Sequence, residues 1–289
     1  MTKYLITIIG PTAIGKTALS IAIANHFNSE ILSSDSRQFY KEMNIGTAVP
    51  NSVELETIKH HFIQHISIYD SYSVGHFEKE AILKLDELFN INNVAIMVGG
   101  SGLYTDAVLY GIDLKQQLKD KGIDTLKEQL KRLDIETYNN IDLENHQRLI
   151  RALEICISTG KTFSSFQTKN KVKRNFTPIK IGLTADREII YNRINRRVDI
   201  MFENGLLEEA KKLYKNKELN ALQTVGYKEL FAYFDGQYSL DFAIEEIKKN
   251  TRRFAKRQLT WYRKDNEINW FNFEDKPKKI VETLSSLIA

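Results

Sequence analysis

Apolar residues open the chain as a β-branched run, Tyr4 to Ile9 (YLITII), that stops at Gly10. Such a run predicts a strand buried on both faces, as in a parallel sheet. From Lys16 to Phe27 the spacing turns helical. Residues 30–36 (EILSSDS) predict a second strand that ends on Asp35. Residues 74–90 form an amphipathic helical stretch, and 93–104 (NVAIMVGGSGLY) predict a third buried strand running into a Gly-rich turn. Alternating strands and helices make an α/β domain whose ligands sit at the carboxyl ends of parallel strands.

The pattern changes at about residue 112 and stays helical through DTLKEQLKRL and NHQRLIRALEICISTG. A polar, basic loop follows over 161–178, and IKIGLTA (179–185) returns to strand. The expected organisation is a core of residues 1–111 and 176–289, interrupted by a helical insertion over 112–175. Helices are expected over 186–215, 226–235 and 241–264, with INWFNF (268–273) as a last strand.

Net charge changes this picture only once it is located. Forty-one basic residues against 37 acidic give +4. Between 146 and 176 stand Arg148, Arg151, Lys161, Lys169, Lys171, Lys173 and Arg174, opposed by Glu154 alone. Between 248 and 264 stand Lys248, Lys249, Arg252, Arg253, Lys256, Arg257, Arg263 and Lys264 without an acid, interleaved with Phe254, Trp261 and Tyr262. Cations mixed with aromatics suit backbone contacts and base stacking in single-stranded RNA, although such aromatics also serve as core. The single cysteine, Cys156, excludes an internal disulfide and fits a cytoplasmic setting. No apolar run is long enough for a bilayer, so no membrane partner is expected. His60, His61 and His65 have no cysteines beside them, and two are adjacent, which disfavours zinc.

The first strand feeds IIGPTAIGKT, residues 8–17. Gly10, Gly15, Lys16 and Thr17 match G-x-x-x-x-G-K-[ST] between a strand and a helix, the context in which backbone N–H groups encircle phosphate oxygens. Pro11, Thr12, Ala13 and Ile14 complete the loop. Lys16 supplies a point charge, and the Thr17 hydroxyl can ligate Mg²⁺. An ordinary nucleotidase also places an acid after an apolar strand to help hold the metal. Here VAIMV ends in Gly99-Gly100-Ser101 instead. The nearest acid at a strand end is Asp35, placed to hold metal, to act as a base, or to cap a turn. Its neighbours Ser36, Arg37 and Gln38 are the kind that contact a base edge or a phosphate.

These segments, taken with others, resemble the tRNA dimethylallyltransferases. The matching stretches include GPTAIGKT (10–17), SSDSRQFYKEMNIGTAVP (33–50), HH (60–61), GGSGLY (99–104), QRLIRALEI (147–155), GYKEL (226–230) and AKRQLTWYR (255–263). The loop is generic, whereas DSRQ with IGTA, QR..RALE and AKRQ.TW is specific. The resemblance implies a P-loop NTPase-like core whose loop holds dimethylallyl diphosphate, with Mg²⁺ as cofactor. It implies transfer of the five-carbon unit to the N6 amine of an adenosine beside the anticodon, in tRNAs reading codons that start with U. By the same resemblance Asp35 is the base, and Ser101, where many relatives carry Thr, bridges amine and leaving oxygen. Arg187, Arg193 and Arg197 add phosphate contacts. Asp35, Ser36, Arg37 and Gln38 meet a flipped-out base. Gln147, Arg148, Leu149, Ile150 and Arg151 of the insertion grip the anticodon stem-loop, with Arg253, Lys256 and Arg257 as further tRNA contacts. The partners expected are tRNA and dimethylallyl diphosphate, with the enzyme acting as a monomer. Relatives carry an acid where Gln64 stands. The rivals are an adenylate dimethylallyltransferase, a small-molecule kinase, and an RNA-binding protein with a vestigial loop.

Overall fold

The computed structural model describes residues 1–111, 122–159 and 173–288. Two compact units are evident: residues 1–71, 83–105 and 175–289 form one, and 72–82 with 106–174 form the other.

The first unit is built on a six-stranded parallel sheet ordered β3-β2-β4-β1-β5-β6. In chain order it opens with β1 (Tyr4–Ile9), α1 (Lys16–Phe27), β2 (Ile31–Ser33), α2 (Ser52–Thr57) and β3 (His60–His61). Helix α3 (Val74–Phe89), whose residues are divided between the units, precedes β4 (Val94–Val98) and α4 (Gly102–Tyr110). In β1, Leu5, Ile6, Ile8 and Ile9 are buried, as the unbroken apolar run requires of a central strand. Leu19 and Ile23 of α1 join Ile6, Ile8, Ile96 and Ile181 in one core. Burying each such side chain contributes about 1.5–3 kcal/mol. Because β4 lies between β1 and β2, the turn after β4 stands between the loop leaving β1 and the residues leaving β2.

The second unit has α5 (Ile123–Leu133), α6 (Ile135–Asn140) and α7 (His146–Thr159). Leu126 and Leu130 of α5 pack with Leu149, Ile150 and Leu153 of α7. Leu149 and Ile150 are thus core residues and not the exposed RNA contacts expected of them. Arg174, counted in the basic cluster, pairs with Glu78 and donates to the carbonyls of Ala107 and Val108.

The sheet resumes with β5 (Thr177–Thr184), followed by α8 (Arg187–Glu203), α9 (Leu206–Leu213), α10 (Tyr227–Phe234), α11 (Leu240–Tyr262), β6 (Ile268–Asn272) and α12 (Pro277–Ile288). Several elements depart from the expected pattern. The helix foreseen over 186–215 breaks at Gly205, whose φ of 96° opens α9. Residues 102–110 form helix α4, although the stretch to 104 was expected to be a Gly-rich turn. α12 was not foreseen, although Pro277 starts it and Ile280, Val281 and Leu284 bury one face.

A second device shapes the loop after β2. The Glu209 carboxylate on α9 accepts the backbone N–H groups of Asn44, Ile45 and Gly46 at 3.1, 2.8 and 2.9 Å. It also accepts the Tyr227 hydroxyl at 2.6 Å. A Cβ on Gly46 would lie 2.6 Å from the Tyr227 ring, so only glycine fits. This one carboxylate joins the IGTA segment to Tyr227 of GYKEL. Glu209→Ala should lower unfolding free energy by about 1–3 kcal/mol in denaturant titrations, because three N–H donors and a buried phenol lose their acceptor.

Candidate active site

The loop from β1 turns tightly at its glycines and at Ala13, which takes a left-handed φ of 64°. That conformation is costly for alanine, and Arg193 secures it by donating from Nε to the Ala13 carbonyl at 2.8 Å. Lys16 Nζ folds back onto the carbonyls of Gly10 and Pro11 at 3.0 and 2.8 Å. Desolvation pulls the Lys16 pKa down to about 8, opposed by the Asp35 carboxylate and reinforced by Arg197. Burial also lowers the Arg197 pKa, again against the pull of Asp35. Arg197 donates to the Thr12 hydroxyl at 3.3 Å.

These residues border a cavity of about 560 Å³ that includes the whole stretch Thr12–Thr17. Arg193, Arg196 and Arg197 line its far wall. Arg196 escaped sequence reasoning, although it is i+3 from Arg193 on the same helix. Arg187 does not line it; that guanidinium lies over the Tyr191 ring and donates to the Tyr191 hydroxyl.

Asp35 follows β2, one strand beyond β4. Its Oδ1 accepts the Arg37 N–H at 3.2 Å, so the turn-capping role is real. Oδ2 faces Gly100, where a Cβ would be 3.6 Å away. Ser101 Oγ accepts the Ser36 N–H and meets the Ser36 hydroxyl, both at 3.1 Å. Asp35, Ser36 and Ser101 thus converge from two adjacent strand ends. They line a second cavity of about 590 Å³ with Arg37, Arg257 and Trp261. The two cavities share Thr12, Asp35, Thr47, Ala48 and Arg197.

Other candidates are placed differently. Gln38 borders the first cavity and not the second, its amide donating to Ala48 O at 2.9 Å while Oε1 accepts from Ser33. Arg37 donates to Ala221 O at 3.1 Å. Arg253, Lys256 and Arg257 are exposed on α11, and Arg257 stacks on Phe254. Lys248 pairs with Asp199 and Glu245, and Lys249 with Glu246, so acids outside the 248–264 window offset part of its charge. Trp261 is 45% exposed, not core. Arg148 is exposed on α7. Lys161, Lys169, Lys171 and the side chains of Gln147 and Arg151 lie outside the described residues. His61 meets Glu30 at 2.5 Å, His60 donates from Nδ1 to Ile58 O, and the His65 ring packs edge-on against Phe39 and Phe62.

Fold and site together define a class: an α/β phosphate-loop protein that sets an anion cavity against an acid and a hydroxyl on neighbouring strand ends. The family model described as IPP transferase matches residues 38–265. A tRNA dimethylallyltransferase of Christiangramia forsetii is 62% identical over 300 residues, covering 100% of this chain and 99% of the relative. The crystal structure of tRNA delta(2)-isopentenylpyrophosphate transferase from Staphylococcus epidermidis superposes with a TM-score of 0.74 at 34% identity, covering 99% of both chains. A eukaryotic dimethylallyltransferase acting on tRNA superposes with a TM-score of 0.81 at 26% identity, covering 99% of this chain and 80% of the other. The chain belongs to the IPP transferase family.

Lys16 makes anion binding depend on pH. A bound diphosphate requires the ammonium form, whereas the empty loop releases that proton above about pH 8. Affinity for inorganic diphosphate should therefore hold below that pH and fall above it, approaching about ten-fold per pH unit. Calorimetry on wild type and Lys16→Arg checks this. The arginine variant, charged throughout, should lack the slope. A flat wild-type profile over about pH 7–9.5 would contradict it.

Proposed function

We propose that this chain transfers a dimethylallyl group from dimethylallyl diphosphate to the N6 amine of an adenosine beside the tRNA anticodon. The observation that carries this reading is the junction of the two cavities at Asp35, Thr12 and Arg197. One cavity is cationic and lined by the phosphate loop, which suits diphosphate. The other joins Asp35 and Ser101 to aromatic and apolar walls, which suits a flipped base and a prenyl chain.

In the reaction, the adenine amine attacks C1 of the dimethylallyl group, and the C1–O bond breaks with its electron pair leaving on diphosphate. The amine lone pair is delocalised into the ring, so it needs a base as the C–N bond forms. Asp35 takes the N6 proton. Ser101, held by Ser36, positions the amine. Lys16, Arg193, Arg196 and Arg197 stabilise the growing charge on the leaving group, in surroundings already desolvated enough to lower two of their pKa values. The hydroxyl of Thr17 and the diphosphate oxygens are hard donors that fit Mg²⁺. When bound, Mg²⁺ would neutralise further charge on the diphosphate.

The second unit, with Arg148 exposed on α7, holds the anticodon stem-loop in this reading. Arg253, Lys256 and Arg257 of α11 add contacts to the RNA backbone. Among the described residues no helix is long and apolar enough to cross a membrane.

The test incubates purified protein, Mg²⁺ and radiolabelled dimethylallyl diphosphate with unmodified tRNA or with AMP. Label should appear on tRNA alone. Label on AMP alone would make the acceptor a free nucleotide. ATP turnover without label on either would make the protein a kinase. Asp35→Asn should lower kcat by about 10²–10⁴-fold with tRNA affinity kept; unchanged turnover would remove Asp35 as base.

A further inference from the structure

Gln258 lies on α11 beside Arg257 and is 5% exposed. Its side chain joins two loops. Oε1 accepts the backbone N–H of Thr12 at 2.9 Å, and Nε2 donates to the Gly100 carbonyl at 2.8 Å. Thr12 belongs to the phosphate loop, and Gly100 immediately precedes Ser101. A single buried amide therefore ties the loop for the leaving group to the turn that carries the acceptor-side hydroxyl.

The chemistry of these two bonds is demanding. One group must accept at one atom and donate at the other, over a fixed reach. A carboxamide does this, an ionised carboxylate can only accept, and a thioether offers a weak acceptor and no donor. Asparagine has the chemistry but lacks one methylene of reach. Charge transfer to Thr12 is not involved, because both partners are neutral backbone groups.

The turn itself leaves little room to drift. A Cβ on Gly99 would lie 2.2 Å from Ser34 Oγ, one on Gly100 would lie 2.3 Å from Gln258 Nε2, and one on Gly102 would lie 2.5 Å from the Trp261 ring. The end of β2 thus closes on the turn from one side. Helix α11 closes from the other, with Gln258 and Trp261 three residues apart on one face. The Gln258 amide reaches on to the phosphate loop, at the N–H of Thr12.

We propose that Gln258 is a positioning residue. Its amide sets the spacing between the phosphate loop and the Ser101 turn, and so aligns the leaving diphosphate with the attacking amine. This rests on the transfer reaction proposed above. Gln258 also borders the second cavity, but its amide is engaged by Thr12 and Gly100, so its loss acts on alignment and leaves the affinity of the loop for anion intact.

The experiment compares wild type with Gln258→Met, Gln258→Ala, Gly100→Ala and the double variant Gln258→Ala/Gly100→Ala. It reads melting temperature, affinity for inorganic diphosphate, and the single-turnover rate of label transfer to tRNA. Gln258→Met and Gln258→Ala should bind diphosphate within about three-fold of wild type and transfer label about 10–100-fold more slowly. Gly100→Ala inserts a methyl group where the amide sits and should reproduce the slow transfer from the other side of the contact. Added to Gln258→Ala, Gly100→Ala should cost no more than about two-fold further, because the strap is already gone. A wild-type single-turnover rate in Gln258→Met would overturn the proposal. So would a parallel fall of melting temperature, diphosphate affinity and rate, which marks a merely structural residue, or additive losses in the double variant. A wild type that transfers no label overturns the transfer reading and this proposal together. An active wild type with equally active Gln258 variants overturns this proposal alone.

Discussion

A Cβ at residue 99 would lie 2.2 Å from Ser34 Oγ and 2.6 Å from the Ser34 backbone, and the site depends on that closeness. Strand β4 runs between β1 and β2, so its turn must pass between the phosphate loop and Asp35. Only a turn stripped of side chains at Gly99 and Gly100 brings Ser101 to within 3.1 Å of Ser36. The glycines that stand where a nucleotidase would keep its acid are therefore a packing requirement. They leave Asp35, one strand away, as the carboxylate nearest the loop.

Charge obeys a related constraint. Lys16 and Arg197 are held close together with little water, and each has its pKa lowered by desolvation. In the empty protein that arrangement is unfavourable, and Lys16 turns to the carbonyls of Gly10 and Pro11 for partial compensation. A polyanion would relieve the repulsion between the two cations, so the electrostatics of the cavity favour an anion. Asp35, which lines the same cavity, moderates this. It raises both cationic pKa values and belongs as well to the wall of the neighbouring cavity.

Long-range polar contacts then lock these pieces. Glu209 gathers three N–H groups of the loop that leads to Thr47 and Ala48. Arg193 pins the strained Ala13, and Gln258 joins Thr12 to Gly100. Each contact links residues more than 150 positions apart in the chain, from helices in the C-terminal half to loops within the first 100 residues. The helices after β5 thus shape the site without contributing Asp35 or the phosphate loop.

Local sequence determined what rests on local physics. The β-branched run of β1, the G-x-x-x-x-G-K-T loop, the helical period of α1 and α3, and the acid after β2 were legible because each signal fits within one element. So was family membership, from motifs spread along the chain. Other features were decided only by the tertiary structure. Arg196 and not Arg187 faces the cavity, Leu149 and Ile150 turn inward, and Arg174 is held by Glu78. Glu209 sits in unremarkable helical sequence, and Gln258, although it lies in the AKRQ.TW motif, carries no local sign of what it contacts. Their roles come from backbone groups that lie beside them only after folding, and a hydrogen bond across more than 150 residues leaves no periodicity in the chain.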